Sequence, residues 1–143
     1  MNVLSRNRPD TRDIALAWLK SFGESLQAGD AAEAAGHFAA DGHWRDVLAF
    51  TWQIQTVSGP AAIEAALAPT LARTKPSGFH VPAGRSQPRR ERRAGTDCIE
   101  AVFEFETAFG RANGVVRLVE EAGAWRAWTV VTTLEGLHGY PDG

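Results

Sequence analysis

A chain of 143 residues, 44% hydrophobic and 22% charged with a net charge of −2, is long enough for one domain that buries roughly two thirds of its unfolded surface. The near-neutral balance excludes a general attraction to nucleic acid or to an anionic membrane, and no apolar run approaches the ~18 residues of a spanning helix. Cys98 is the single cysteine, so an internal disulfide is excluded. A lone thiol and an opening without a signal-like apolar stretch lead us to expect a cytoplasmic protein.

In chain order, residues 1–9 are polar and are expected to form a flexible N-terminus, with one domain over residues 10–138 and a short tail at 139–143. Asp10 or Thr11 can cap a helix running to about Ala28. Ile14, Ala17, Trp18, Phe22 and Leu26 recur along it at helical spacing. Gly29 suits the left-handed position that closes a helix, and Asp30 suits the N-cap of a second, Ala31 to Phe38. Asp41 to Asp46 reads as a first strand or bend; on a strand His43 and Trp44 take opposite faces. Val47 to Trp52 is apolar and fits either a helical turn or an extended run. Gln53 to Val57 alternates as a strand does. Ser58-Gly59-Pro60 opens a helix to Ala72 that Pro69 kinks or ends.

Thr74 to Thr96 has three prolines and Arg85, Arg89, Arg90, Arg92 and Arg93. We read it as a loop or edge strand whose arginines form a solvated face. From Ile99 the pattern sharpens. Ile99, Ala101, Phe103 and Phe105 alternate with Glu100, Glu104 and Glu106, the mark of a strand with one wet face. Val115 to Glu120 is its partner, Ala122-Gly123 a tight connection, and Trp125 to Leu134 a last long strand rich in β-branched residues. Helices first and antiparallel strands after predict an α+β fold.

LQAGD, FAADGHWRD, SGPAAIEAAL and RLVEEAGAWRAWTVVTTLEGL together resemble the nuclear transport factor 2-like superfamily, also called SnoaL-like or ketosteroid isomerase-like. The resemblance covers about Asp10 to Leu137. It implies a cone-shaped half-barrel, with three N-terminal helices packed in a curved, mainly antiparallel sheet. WRDVLAFTWQIQTVSG, FEFETAFGRANGVVRL and WRAWTVVTTLEGLHGY look like the domain ahead of the flavin-binding part of bacterial flavin-containing monooxygenases. That implies an accessory or small apolar ligand-binding role and a flavoprotein partner in cis or trans. No G-x-G-x-x-G follows a strand here, so no cofactor is expected to be bound by this chain.

In the enzymatic branch a carboxylate at the end of the first strand acts as general base, and that position falls on Asp46. His43 is a second acid–base candidate. The resemblance places Phe22 where such enzymes carry a tyrosine, and no carboxylic acid stands around Asn113–Val115. The alternatives to an accessory domain are therefore a cofactor-independent isomerase, dehydratase or cyclase using Asp46, and a dimerisation scaffold. Trp18, Phe22, Trp44, Trp52, Phe103, Phe105, Arg117 and Trp128 are the expected pocket walls, and Arg117 is expected to pair with Glu104 or Asp46. The four histidines, His37, His43, His80 and His138, show no metal-ligand spacing. A homodimer is expected, because both faces of Trp125–Leu134 are rich in apolar and β-branched side chains.

Overall fold

The computed structural model describes residues 10–138; the expectations for residues 1–9 and 139–143 lie outside them. Helix α1 spans Thr11–Gln27, and the Asp10 carboxylate caps it by accepting from the Asp13 amide at 2.7 Å. Its buried face carries Ile14, Trp18, Leu19, Phe22 and Leu26, while Ala17 stays exposed. Gly29, at φ +72°, turns the chain into α2, Ala31–Ala35, capped by Asp30 on the Glu33 amide at 3.0 Å. This helix stops short of the expected Phe38. The His37 carbonyl is taken instead by the Ala127 amide at 2.8 Å and the Trp18 indole at 3.0 Å. Phe38 thereby opens strand β1, Phe38–Val47.

Strand β2, Ile54–Ser58, returns against β1, and α3, Pro60–Leu67, follows. The helix expected to reach Ala72 breaks before Pro69, whose ring cannot continue the ladder. One further turn, α4, Leu71–Thr74, ends at Lys75 with φ +46°. The arginine-rich stretch divides into β3, Ser77–His80, and β4, Arg89–Arg93. Both lie on the same side of β5, Thr96–Glu106, one along each half of its length. Strands β6, Gly110–Glu121, and β7, Ala124–Leu137, complete the sheet. The turn at Ala122-Gly123 has φ of +52° and +82°, the two left-handed positions of a tight hairpin.

The sheet has seven strands in the order β2-β1-β7-β6-β5-β3, with β4 also on β5. Only β1 and β7 run parallel. This is the expected α+β half-barrel, a curved open sheet with helices against one face. That inner face carries Trp44, Phe103, Phe105, Val116, Leu118 and Val130, all in one buried cluster with the apolar face of α1. Packing is tight enough that a Cβ at Gly114 would lie 2.2 Å from the Phe103 ring.

Trp44 is 2% exposed, packs edge-on to Phe50 at 5.6 Å and donates its indole N–H to Thr132 Oγ1 at 2.9 Å. Truncating it removes a large buried ring and leaves a cavity. Trp44→Ala should cost about 3–5 kcal/mol in chemical denaturation; a loss below about 1 kcal/mol would contradict this packing.

Candidate functional site

The end of β1 sets Asp46 inside the cone, because alternation along the strand turns Trp44 and Asp46 inward and His43 and Arg45 outward. Asp46 is 0% exposed. A carboxylate this deep is tolerated only when its oxygens are occupied. Oδ1 accepts from Thr132 Oγ1 at 2.7 Å, and Oδ2 accepts from Thr51 Oγ1 at 2.8 Å, the Thr51 amide at 2.9 Å and the Phe50 amide at 3.1 Å. Thr132 in turn receives the Trp44 indole, so a relay runs from Trp44 through Thr132 to the carboxylate.

Three of these donors sit on residues 50–51, which explains the stretch that fitted either a helical turn or an extended run. It is neither. The chain folds around the Asp46 side chain, and Leu48 and Trp52 take left-handed φ of +69° and +57°. Such backbone is unfavourable for residues with a Cβ; the hydrogen bonds to the carboxylate hold it. The turn drives Phe50 inward, edge-on to Trp44 and stacked on Phe105 at 5.6 Å, and Arg73 donates to the Phe50 carbonyl at 3.0 Å. Phe105 stacks on Phe79 at 4.8 Å, and Phe79 meets Phe22 edge-on at 6.4 Å. Trp18 stacks on Phe22 at 4.6 Å. A continuous chain of the protein's own rings thus runs through the interior that holds Asp46.

The structure brings Trp18, Phe22, Trp44, Phe103 and Phe105 into this interior with Asp46. The other expected wall residues lie elsewhere. Trp52 is 44% exposed and rests edge-on against Phe109. Trp128 stands at the register shift of β7 and lines an outer cleft with Asp41 and Val119. His43 points outward, where its Nδ1 meets Ser58 Oγ at 2.7 Å. Arg117 points outward too, and its partner is Glu100 at 2.8 Å rather than Glu104 or Asp46. The register pairs Glu100 directly with Arg117, and Glu104 with Asn113.

Among the surface clefts, two more are lined by expected wall residues, Trp18 in one and Phe105 in the other. One, ≈ 350 Å³, lies between α1 and β7 and is walled by Ile14, Ala17, Trp18, His37 and Trp125. Burial pushes the His37 imidazole below its ordinary value, more than the Glu33 carboxylate raises it. The other, ≈ 180 Å³, is polar, with His80, Glu104, Glu106, Arg111 and Glu135 around it. Among the described residues no group of three or more His, Cys, Asp or Glu side chains could hold a metal ion. No described helix is long and apolar enough to cross a membrane.

The arginine-rich stretch pairs within the chain, although the buried Arg93 Nε has no hydrogen-bond partner among the described residues. Arg89, Arg93 and Arg117 converge on Glu100 at 3.2, 3.5 and 2.8 Å, Arg92 pairs with Asp97 at 2.8 Å, and Arg90 lies over the Trp125 ring. Burial alone would raise the Glu100 carboxyl. The hydrogen bond from Arg117 and the charges of Arg117, Arg93 and Arg89 together outweigh burial and leave it below its ordinary value. Sequence composition showed these arginines; their shared carboxylate depends on the β4–β5–β6 register, which local pattern does not carry.

No protein-family model matches this chain, and no curated protein sequence matches it. Solved structures do. A nuclear transport factor 2-like protein with a cystatin-like fold from Novosphingobium aromaticivorans is 18% identical, covers 97% of this chain and 90% of its own, and superposes with a TM-score of 0.65. A Xanthomonas campestris protein assigned as a calcium/calmodulin-dependent protein kinase II association domain is 13% identical over 90% of this chain and 89% of its own, TM-score 0.64. A Nostoc punctiforme protein of unknown function with a cystatin-like fold is 14% identical over 99% and 97%, TM-score 0.61. These likenesses define the class: the chain has the nuclear transport factor 2-like, or cystatin-like, fold. At such identities they show the fold alone, and folds of this kind carry many functions.

Two outcomes follow from this geometry. Asp46→Asn replaces one acceptor by an amide that faces donors. It should destabilise the fold by about 2–4 kcal/mol, measured by urea denaturation, whereas exchange of an unencumbered catalytic base leaves stability nearly unchanged. Glu100, with its lowered pKa, stabilises the fold above the ordinary carboxyl value of 4.5, and that stability is lost as pH falls through the lowered value. Thermal melts of Glu100→Gln should therefore show lower stability at pH 7 and a shallower decline between pH 5 and 3 than the parent.

Proposed function

We propose that this chain is an accessory domain that works by association, without chemistry of its own in the cone. The observation that carries this reading is Asp46: fully buried, engaged by hydrogen bonds on both oxygens and walled by Trp44, Phe50 and Phe105. A general base must reach the proton it removes. Here the lone pairs face Thr132, Thr51 and the amide of Phe50. Phe22 offers no hydroxyl to polarise a carbonyl, and an oxyanion donor is usually the largest single electrostatic contribution. The isomerase, dehydratase or cyclase reading with Asp46 or His43 is the weaker one on these grounds.

The outer face of the sheet supports association. Val102, Val115 and Val131 form a row across β5, β6 and β7, each half-buried, with Ile54 59% exposed near the β2 edge. A half-buried valine row flanked by charge suits a homodimer interface. An association domain is also the assignment of the Xanthomonas campestris structure. The resemblance to the leading domain of flavin-containing monooxygenases supports a flavoprotein as the larger partner. A second reading, a small apolar ligand, rests on the cleft beside Trp18 and Trp125.

Sedimentation velocity at tens of micromolar should give a dimer, and the purified protein should leave a Δ5-3-ketosteroid unconverted. A monomer throughout that range would overturn the association reading; rapid conversion of the ketone would restore the enzyme.

A further inference from the structure

One turn of α1, with Ile14, Ala17 and Trp18, stands across from His37 and Trp125 and bounds the cleft of ≈ 350 Å³ between helix and sheet. Asp46, Phe50 and Phe105 take no part in its wall, so it is separate from the interior of the cone. Its aromatic walls are held in place by the protein itself. Trp18 is stacked on Phe22, and its indole N–H is spent on the His37 carbonyl at 3.0 Å. Trp125 is half-buried, with the Arg90 guanidinium 5.6 Å from its ring centroid. Rings fixed in this way lose little freedom when a flat guest meets them. A cavity of about 150 Å³ holds benzene, so this one is sized for two fused rings.

His37 supplies the directional group. Ser25 Oγ donates to the Ser21 carbonyl at 2.9 Å, so it offers a lone pair to His37 Nε2, 3.4 Å away. Nε2 therefore carries the ring proton, and Nδ1 is an acceptor with no partner among the described residues. Burial lowers the imidazole pKa, Arg126 lowers it further and Glu33 opposes them, so the ring is neutral at pH 7. The exposed Asp13 carboxylate is a second acceptor in the wall. The charges around the cleft balance, Asp13 and Glu33 against Arg90 and Arg126. Indole walls, an open acceptor and no net charge suit an uncharged flat guest that donates a hydrogen bond.

We infer that this cleft binds a neutral two-ring aromatic molecule of the indole class, its ring packed on Trp18 and Trp125 and its N–H donated to Nδ1 of His37. The inference rests on the small-ligand reading of the cleft given above and goes further in naming the ligand class and the group that selects it. Selection comes from the penalty on the wrong guest. A guest without a donor desolvates Nδ1 and leaves it unpaired. The backbone of His37 is anchored separately, its carbonyl accepting from the Ala127 amide at 2.8 Å, so the side chain can be exchanged without undoing that bond.

Calorimetric titration of the full chain with indole and with benzothiophene, its analogue lacking the N–H, tests this. Indole should bind about tenfold more tightly or better. His37→Leu should bring indole down to the level of benzothiophene. Ala17→Gln places a longer, helix-compatible side chain at an exposed position of the cleft and should weaken both probes by about tenfold or more. Thermal melts establish that the variants fold, and the comparison of the two probes on the parent needs no variant. Equal binding of the probes by the parent, or a preference for indole that survives in folded His37→Leu, overturns selection by His37 and leaves a small-ligand site standing. Indole binding unchanged in Ala17→Gln overturns the cleft as its site. Failure of both probes to bind at millimolar concentration removes the inference together with the small-ligand reading.

Discussion

One buried carboxylate organises this molecule. Asp46 carries a charge into a region of indole and phenyl rings, where desolvation of an ion is among the most expensive acts in folding. It is met by dipoles rather than by a cation: two threonine hydroxyls and backbone amides of its own turn. Hydrogen bonds to a charged acceptor are about twice as strong as neutral ones. That strength fixes two residues in left-handed backbone, seats Phe50 in the cone and ties the end of β1 to the middle of β7. Both of its oxygens are filled by the protein's own donors, so the carboxylate fixes the shape of the interior around it.

The sheet divides the molecule into two economies of side chain. Inward, alternate positions of β5, β6 and β7 deliver Phe103, Phe105, Val116, Leu118 and Val130 to the helices. Outward, the same strands deliver valines, threonines and charges that are only half covered. Alternation with period two makes the two faces independent, so the inner face can pack on the helices while the outer one keeps its charges. The cluster around Glu100 illustrates this: three arginines share one carboxylate on the outer face, directly behind Ile99 and Ala101 of the core.

Much of the fold was legible because its signals are local. Asp10 and Asp30 cap the helices they precede, Gly29 closes α1, and the alternation from Ile99 to Glu106 marks both faces of β5. The failures share one physical cause, dependence on distant partners. Phe38 sits in a strand because β7 claims the carbonyl before it, and the 47–52 turn exists because its carboxylate also binds a threonine 86 residues away. Arg117 finds Glu100 rather than Glu104 through strand register. Of the candidate site, the interior aromatics were readable from pattern. Trp52 was not, since only the turn geometry shows that it points away from the cone.

The parallel pairing of β1 with β7 has a consequence for how the chain is made. Trp44 and Thr132 are 88 positions apart, so the contact that closes the cone has a high sequence separation, and such contacts form late and slowly. During synthesis β1, with its aromatic and its carboxylate, emerges long before the strand that shelters both. Until β7 leaves the ribosome, the sheet has an open slot between β1 and β6, edged by unpaired backbone on two sides. A growing chain with open strand edges is prone to mispairing with its neighbours. The last strand is therefore the step that turns a sticky intermediate into a closed domain, and ageing of the nascent chain at a pause before β7 is where losses to aggregation would concentrate.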